Sequence, residues 1–104
     1  MASKKPAKKK KVTLTFQWEP GKDVIVAGSF NDWAIDPADK GQAKKVKKLK
    51  EDNKIQGTYS INMFLTPGDH EYKFFTGEQW HADPQAENKT PNIFGTYNSV
   101  LEIS

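Results

Sequence analysis

The chain contains no cysteine, so neither disulfides nor thiolate metal sites can hold it together. It contains no arginine either, and all sixteen of its basic residues are lysine. Bidentate reading of phosphate or guanine favours the guanidinium fork, so specific nucleic-acid recognition is not expected. No apolar run approaches the ~20 residues of a membrane-spanning helix, and no membrane partner is expected. The basic N-terminus is followed by no apolar stretch, so it does not read as a secretory signal. These absences together fit a reducing compartment and lead us to expect a cytoplasmic chain. Only two histidines occur, His70 and His81, and there is no Gly-rich phosphate loop. No metal cluster has a persuasive third ligand, so neither metal nor cofactor is expected.

What is present is one small domain's worth of sequence. A chain of 104 residues can bury a single core but not build a catalytic cleft between lobes. Its charge is unevenly placed: Lys4, Lys5, Lys8, Lys9, Lys10 and Lys11 put six positive charges and no acid into the first eleven residues. The other 93 residues carry ten lysines against thirteen acids. A like-charge block repels itself, so residues 1–11 are expected to form a disordered Lys-rich tail and 12–104 the folded domain. The tail either keeps the protein soluble or binds anions through nonspecific counterion release.

From Val12 the chain reads as strands separated by turns. In VTLTFQW, Val12, Leu14, Phe16 and Trp18 alternate with Thr13, Thr15 and Gln17, a period of two with one buried face. Pro20-Gly21 breaks the run. DVIVA, 23–27, is dense enough in apolar residues for a strand buried on both faces. The stretch 34–43 carries loop chemistry in Asp36, Pro37, Asp39 and Gly41. AKKVKKLKEDNK, 43–54, fits a helix by its Val46/Leu49 spacing or an edge strand by its lysine density; the edge strand is preferred. TYSINMFL turns Tyr59, Ile61, Met63 and Leu65 inward, and after Pro67-Gly68 the run HEYKFF puts Tyr72 and Phe74 on one face and Lys73 on the other. Gly77-Glu78 turns to Gln79-Trp80, residues 85–96 read as polar turns, and SVLEI closes the domain. Turn signals about every ten residues without a helical pattern predict an all-β sandwich.

Two tryptophans stand at strand ends beside polar residues: Trp33 in GSFNDW and Trp80 in HEYKFFTGEQWHADP. An indole face is worth more covered than wet, so each ring is either a core anchor or a platform for a partner. With Lys73 and Asn98 as hydrogen-bonding neighbours, the platform reading points to a flat, hydroxyl-rich ligand such as a sugar ring.

GSFNDW, HEYKFFTGEQWHADP and FGTYNS resemble the family-48 carbohydrate-binding modules, most of all the glycogen-binding type of module. The resemblance covers roughly residues 12–104 in order and spacing: FQW before a Pro-Gly turn, GSFNDW, a second Pro-Gly turn, HEYKFF, a QW hairpin, DP, then GTYN and a last strand. It implies an immunoglobulin-like (early-set) antiparallel β-sandwich that binds α-1,4-linked glucans such as glycogen or starch without catalysis. It also implies stacking of glucose rings on Trp33 and Trp80, donation by Lys73 to sugar hydroxyls, and a hydroxyl partner in Asn98 with Thr96 beside it. The position before Gly-Thr is usually aliphatic and reaches into the curve of the glucan. Here it is Phe94, which is expected on the ligand side; neighbours on an extended segment face opposite ways, so the alternative is that Ile93 faces the ligand and Phe94 packs beneath the Trp80 hairpin. Further departures are the TGEQW hairpin in place of an Asp-Gly turn, and a 33–59 segment that is longer and richer in lysine.

Glycoside hydrolysis needs two carboxylates flanking the bond in a cleft. Asp32, Asp36, Asp83 and Glu87 lie near the tryptophan loops but sit beside turns, where acids serve as turn formers, and no enzyme activity is expected. A different class is a small β adaptor that takes a protein partner, a larger enzyme complex or nucleic acid on Lys4–Lys11 and Lys44–Lys50. The absence of arginine and the acidic remainder of the chain argue against the nucleic-acid version.

Overall fold

The computed structural model describes residues 9–104. The expected tail falls mainly on residues 1–8, which lie outside the described residues. Lys10 and Lys11, assigned to that tail, instead begin the first strand, β1 (Lys10–Gln17), where they pair with Leu65 and Phe64.

Alternation does what it predicts in β1 and in β5 (Thr58–Leu65), which pair antiparallel along their whole length. Leu14, Phe16, Tyr59, Met63 and Leu65 are buried, and Val12, Trp18 and Ile61 pack against them. These two strands and β4 (Lys50–Glu51) form a three-stranded sheet in the order β1-β5-β4.

The second sheet is built on β6 (Gly68–Phe75). On one side it pairs with β2 (Ile25–Gly28), which in turn takes β3 (Lys47–Lys48) at its edge. On the other side it pairs with β9 (Tyr97–Ile103) over Gly68–Tyr72 and with β7 (Trp80–His81) over Phe74–Phe75. A further strand, β8 (Asn88–Pro91), pairs with β9 where polar turns were expected. It is an edge strand with no buried residue, so it carries none of the apolar alternation by which a strand is recognised. The architecture is an all-β antiparallel sandwich, with Val24, Val26, Leu49, Tyr72 and Phe74 closing the core from this side.

The lysine-rich stretch corrects one expectation. It is not one edge strand but two pieces of two residues each, β3 on the second sheet and β4 on the first. Leu49 between them is 3% exposed and donates its backbone N–H to the Val24 carbonyl at 2.8 Å, so it is the pivot on which the chain changes sheets. Glu51 then staples two turns: its Oε2 accepts from Gly57 N at 2.8 Å and its Oε1 from Gly21 N at 3.0 Å. Those bonds to the ionised form hold its carboxyl below the ordinary range. Among the described residues the one helical piece is a 3-10 turn, Ser29–Asn31, and no helix is long and apolar enough to cross a membrane.

Candidate functional site

Strand pleating decides which side chains leave the core. Tyr72 and Phe74 face inward on β6, so Glu71, Lys73 and Phe75 share the outer face of the second sheet. Cross-strand partners extend that face, since Phe75 pairs with Trp80 and Thr90 with Asn98. The loops flanking it complete an open groove of about 1100 Å³, lined by Ser29, Trp33, Glu71, Lys73, Trp80, Pro91, Asn92, Ile93, Phe94, Thr96 and Asn98. All six residues expected to bind a sugar therefore border one groove.

Trp33 is positioned by strain. Asp32 and Trp33 both adopt left-handed backbone angles, φ 55° and 56°, a region costing about 1–2 kcal/mol per residue for anything but glycine. Four contacts hold the turn in place. Trp33 N donates to the Gly28 carbonyl at 3.0 Å, and Asp32 pairs with Lys45 at 2.6 Å. Asn31, 5% exposed, accepts from Gly28 N through Oδ1 at 2.9 Å and donates through Nδ2 to the Lys45 carbonyl at 3.0 Å. Gly28 itself is required because a Cβ there would collide with the Glu71 backbone carbonyl as β2 passes β6. Strain of this kind collects where a side chain must be aimed.

Trp80 sits on the short strand that ends the β6–β7 hairpin, 41% exposed, with its ring 4.8 Å from that of Phe75. Trp33 and Trp80 meet edge to face, centroids 6.3 Å apart and planes at 65°. The third tryptophan, Trp18, belongs to the other class: it packs on the core, 6.1 Å from Phe16 and 4.6 Å from His81.

The polar floor is a directed hydrogen-bond chain. Asn92 Oδ1 accepts from two backbone amides, Phe94 N at 2.9 Å and Thr96 N at 3.2 Å, which fixes its amide orientation. Its Nδ2 must then donate, and it does so to Thr96 Oγ1 at 2.7 Å and to Asn98 Oδ1 at 3.0 Å. That in turn orients Asn98, whose Nδ2 donates to Glu71 Oε1 at 3.1 Å. Lys73, only 9% exposed, donates from Nζ to Thr96 Oγ1 at 3.2 Å, so its charge is held at the floor rather than waving in solvent. The rim is apolar: Ile93 is 93% exposed and Phe94 82%. They do not divide between ligand side and core, as neighbours on a strand would, because they stand on a turn closed by Asn92 N donating to the Thr96 carbonyl.

Sequence reasoning missed Glu71 and Asn92. Glu71 was within reach, because a residue two places from Lys73 on an alternating strand shares its face. Asn92 had no such signal, since an asparagine in a turn reads as a turn former until its side-chain partners are known.

The remaining acids and histidines lie elsewhere. Asp83 is buried, accepting from the Tyr72 hydroxyl at 2.5 Å, while Asp32 and Asp36 are exposed. Burial, together with the Asp83 carboxylate, pushes the Tyr72 hydroxyl's pKa well above its ordinary value. His81 turns away from Trp80, toward Phe16 and Trp18, with Nε2 3.0 Å from Thr76 Oγ1. Among the groove-lining residues Glu71 is the single carboxylate.

Comparison with known proteins agrees with this geometry. The model of the glycogen recognition site of AMP-activated protein kinase matches residues 12–104. The chain is 32% identical over 101 residues to the 5'-AMP-activated protein kinase subunit beta-2 of Mus musculus, covering 97% of this chain and 32% of that protein. It is 33% identical over 89 residues to the subunit beta-1 of Rattus norvegicus, covering 85% of this chain and 27% of that one. The chain thus spans about a third or less of the length of these curated relatives. A family match over nearly the whole described chain, on a sandwich whose outer face carries an exposed and a half-buried indole above a polar floor, supports one conclusion: the chain belongs to the family of the glycogen recognition site of AMP-activated protein kinase, a family of carbohydrate-binding modules.

Proposed function

We propose that the chain binds α-1,4-linked glucans of the glycogen and starch type, without catalysis, in the groove between Trp33, Trp80 and the 92–98 loop. The observation that carries this reading is the junction of two indole faces with a donor-rich floor in one groove. Sugar C–H faces pack on indole rings, each such contact contributing on the order of 1 kcal/mol beyond burial. Lys73, Thr96 and Asn98 line the same groove as the two indoles and offer partners to the hydroxyls of a stacked ring, and the exposed Phe94 borders the same space. The 65° angle between the indoles suits a chain whose successive rings turn, as in α-1,4 linkage, rather than a flat ribbon.

One carboxylate in the groove is too few for glycoside hydrolysis, which uses a pair. Two stacked rings and a few hydrogen bonds correspond to micromolar or weaker affinity for a single chain. A branched polymer raises this by offering many ends. The relatives are named as subunits, so a larger enzyme complex is a partner to be sought for any longer protein carrying this domain. Within the 44–50 segment, Lys45 and Lys48 form ion pairs with Asp32 and Asp23.

Titration calorimetry with β-cyclodextrin and with cellohexaose tests the proposal. Binding to the first and not the second is expected, and equal binding to both, or to neither, overturns it. A pull-down on glycogen and on single-stranded nucleic acid at two salt concentrations separates it from the adaptor alternative.

A further inference from the structure

We propose that Glu71 is the charged hydroxyl acceptor of the groove and that, with Lys73, it grips a vicinal diol of one glucose unit; this rests on the glucan-binding reading above. A census of the floor's hydrogen bonds leads there. Thr96 Oγ1 already accepts from Lys73 Nζ at 3.2 Å and from Asn92 Nδ2 at 2.7 Å, so both its lone pairs are used and only its O–H remains to offer. Asn98 Oδ1 has one of its two lone pairs taken by Asn92 Nδ2, and Asn98 Nδ2 spends one hydrogen on Glu71, leaving one N–H. Lys73 keeps two N–H groups after its bond to Thr96. Thr96, Asn98 and Lys73 thus present four N–H or O–H donors against one neutral lone pair, on Asn98 Oδ1.

A sugar hydroxyl both accepts and donates. A floor of donors alone would satisfy its oxygen and leave its hydrogen unpaired. Glu71 lines the same groove, on the same face of β6 as Lys73, and it is half-buried. Its Oε1 takes Asn98 Nδ2, and among the described residues its Oε2 takes no bond and forms no ion pair. An ionised carboxylate is the strongest hydroxyl acceptor a side chain supplies. In a 1,4-linked chain, positions 1 and 4 are consumed by the linkage, and the remaining vicinal pair is the 2- and 3-hydroxyls. One of these oxygens accepts from Lys73 Nζ while its neighbour donates to Glu71 Oε2. The recognised unit is therefore a free 2,3-diol, and Glu71 is a specificity-determining residue toward it.

The test compares the wild-type chain with Glu71→Gln by calorimetry, using β-cyclodextrin and its 2,3-di-O-methyl derivative, which keeps the oxygens but lacks the hydroxyl hydrogens. Gln is isosteric and its amide oxygen still accepts from Asn98, so near-UV circular dichroism and Tm should be unchanged. Loss of one charge-assisted hydrogen bond predicts roughly tenfold weaker binding of β-cyclodextrin by the variant. The methylated ligand, already without the donor, should lose less than about twofold between wild type and variant. If Glu71 merely orients Asn98, Glu71→Gln binds β-cyclodextrin as wild type does, which overturns the proposal. Equal losses for both ligands overturn it as well. A wild-type chain that binds no β-cyclodextrin overturns the glucan reading itself, a failure visible before any variant is compared.

Discussion

The Trp33 and Trp80 rings stand at 65° with centroids 6.3 Å apart, forming a corner rather than a continuous floor. A planar ring that stacks on one indole cannot be coplanar with a ring on the other, so two stacked sugars must be turned relative to one another. Trp33→Ala and Trp80→Ala should each weaken β-cyclodextrin binding at least tenfold, or about 1.4 kcal/mol, with little change in Tm. Trp18→Ala, which empties space against Phe16 and His81, should instead cost up to about 3 kcal/mol of stability and spare the affinity of the folded fraction. Calorimetry and thermal melts on the three variants distinguish these classes. Trp33→Gly adds a sharper check on the backbone. Relief of left-handed strain should leave it about 1 kcal/mol more stable than Trp33→Ala.

Asn92 is expected to be a positioning residue whose loss mimics damage to the floor. Asn92→Ala frees Thr96 and Asn98 from the bonds that orient them, so glucan affinity should fall several-fold while stability changes by about 1 kcal/mol. Asn92→Asp keeps an acceptor for Phe94 N and Thr96 N but turns an oxygen toward Asn98 Oδ1. It should bind no better than the alanine variant. Wild-type affinity in Asn92→Asp would show that the orientation of Asn98 does not matter.

Ile93 and Phe94 are both exposed, which makes stability uninformative and binding decisive. Phe94→Ala should weaken cyclodextrin binding by about 1–2 kcal/mol, as for an aromatic anchor at the centre of a contact. Ile93→Ala should have a smaller effect, and neither should shift Tm by more than a degree or two. The reverse order of affinities would assign the ligand side to Ile93.

His81 predicts a pH dependence of stability. Burial against Phe16 and Trp18, and then the Lys73 charge, lower its pKa in the fold. The unfolded chain therefore binds this proton more readily than the folded one. The stabilisation is fully present above the ordinary histidine value and is lost as pH falls through the lowered value. Thermal melts at pH 7.5 and 5.5 should show a drop that His81→Gln reduces. An identical drop in that variant would assign the effect to carboxylates elsewhere.

The core was legible in the residues because alternation is a local signal. Leu14, Phe16, Tyr59, Met63 and Leu65 each announce a buried face by period two, and the structure buries them. Lys73 was legible as outward-facing for the same reason, opposite Tyr72 and Phe74. The β8 strand was not, since an exposed edge has no apolar period. The split of 47–51 into two sheets was not either, because the choice rests on Leu49 meeting Val24 across the chain.

By itself the sequence determined the class of the fold, the strands that build its core, and six of the aromatic and polar residues that line the groove. Those follow from side-chain chemistry and short-range periodicity, which need no partner to be read. Tertiary structure alone decided the angle between Trp33 and Trp80, the left-handed turn that aims the first of them, and the hydrogen-bond chain from Asn92 through Asn98 to Glu71. Each is a relation between segments distant along the chain or between backbone torsion and side-chain direction. Hydrogen bonds of that kind acquire a direction only when every donor and acceptor around them is in place.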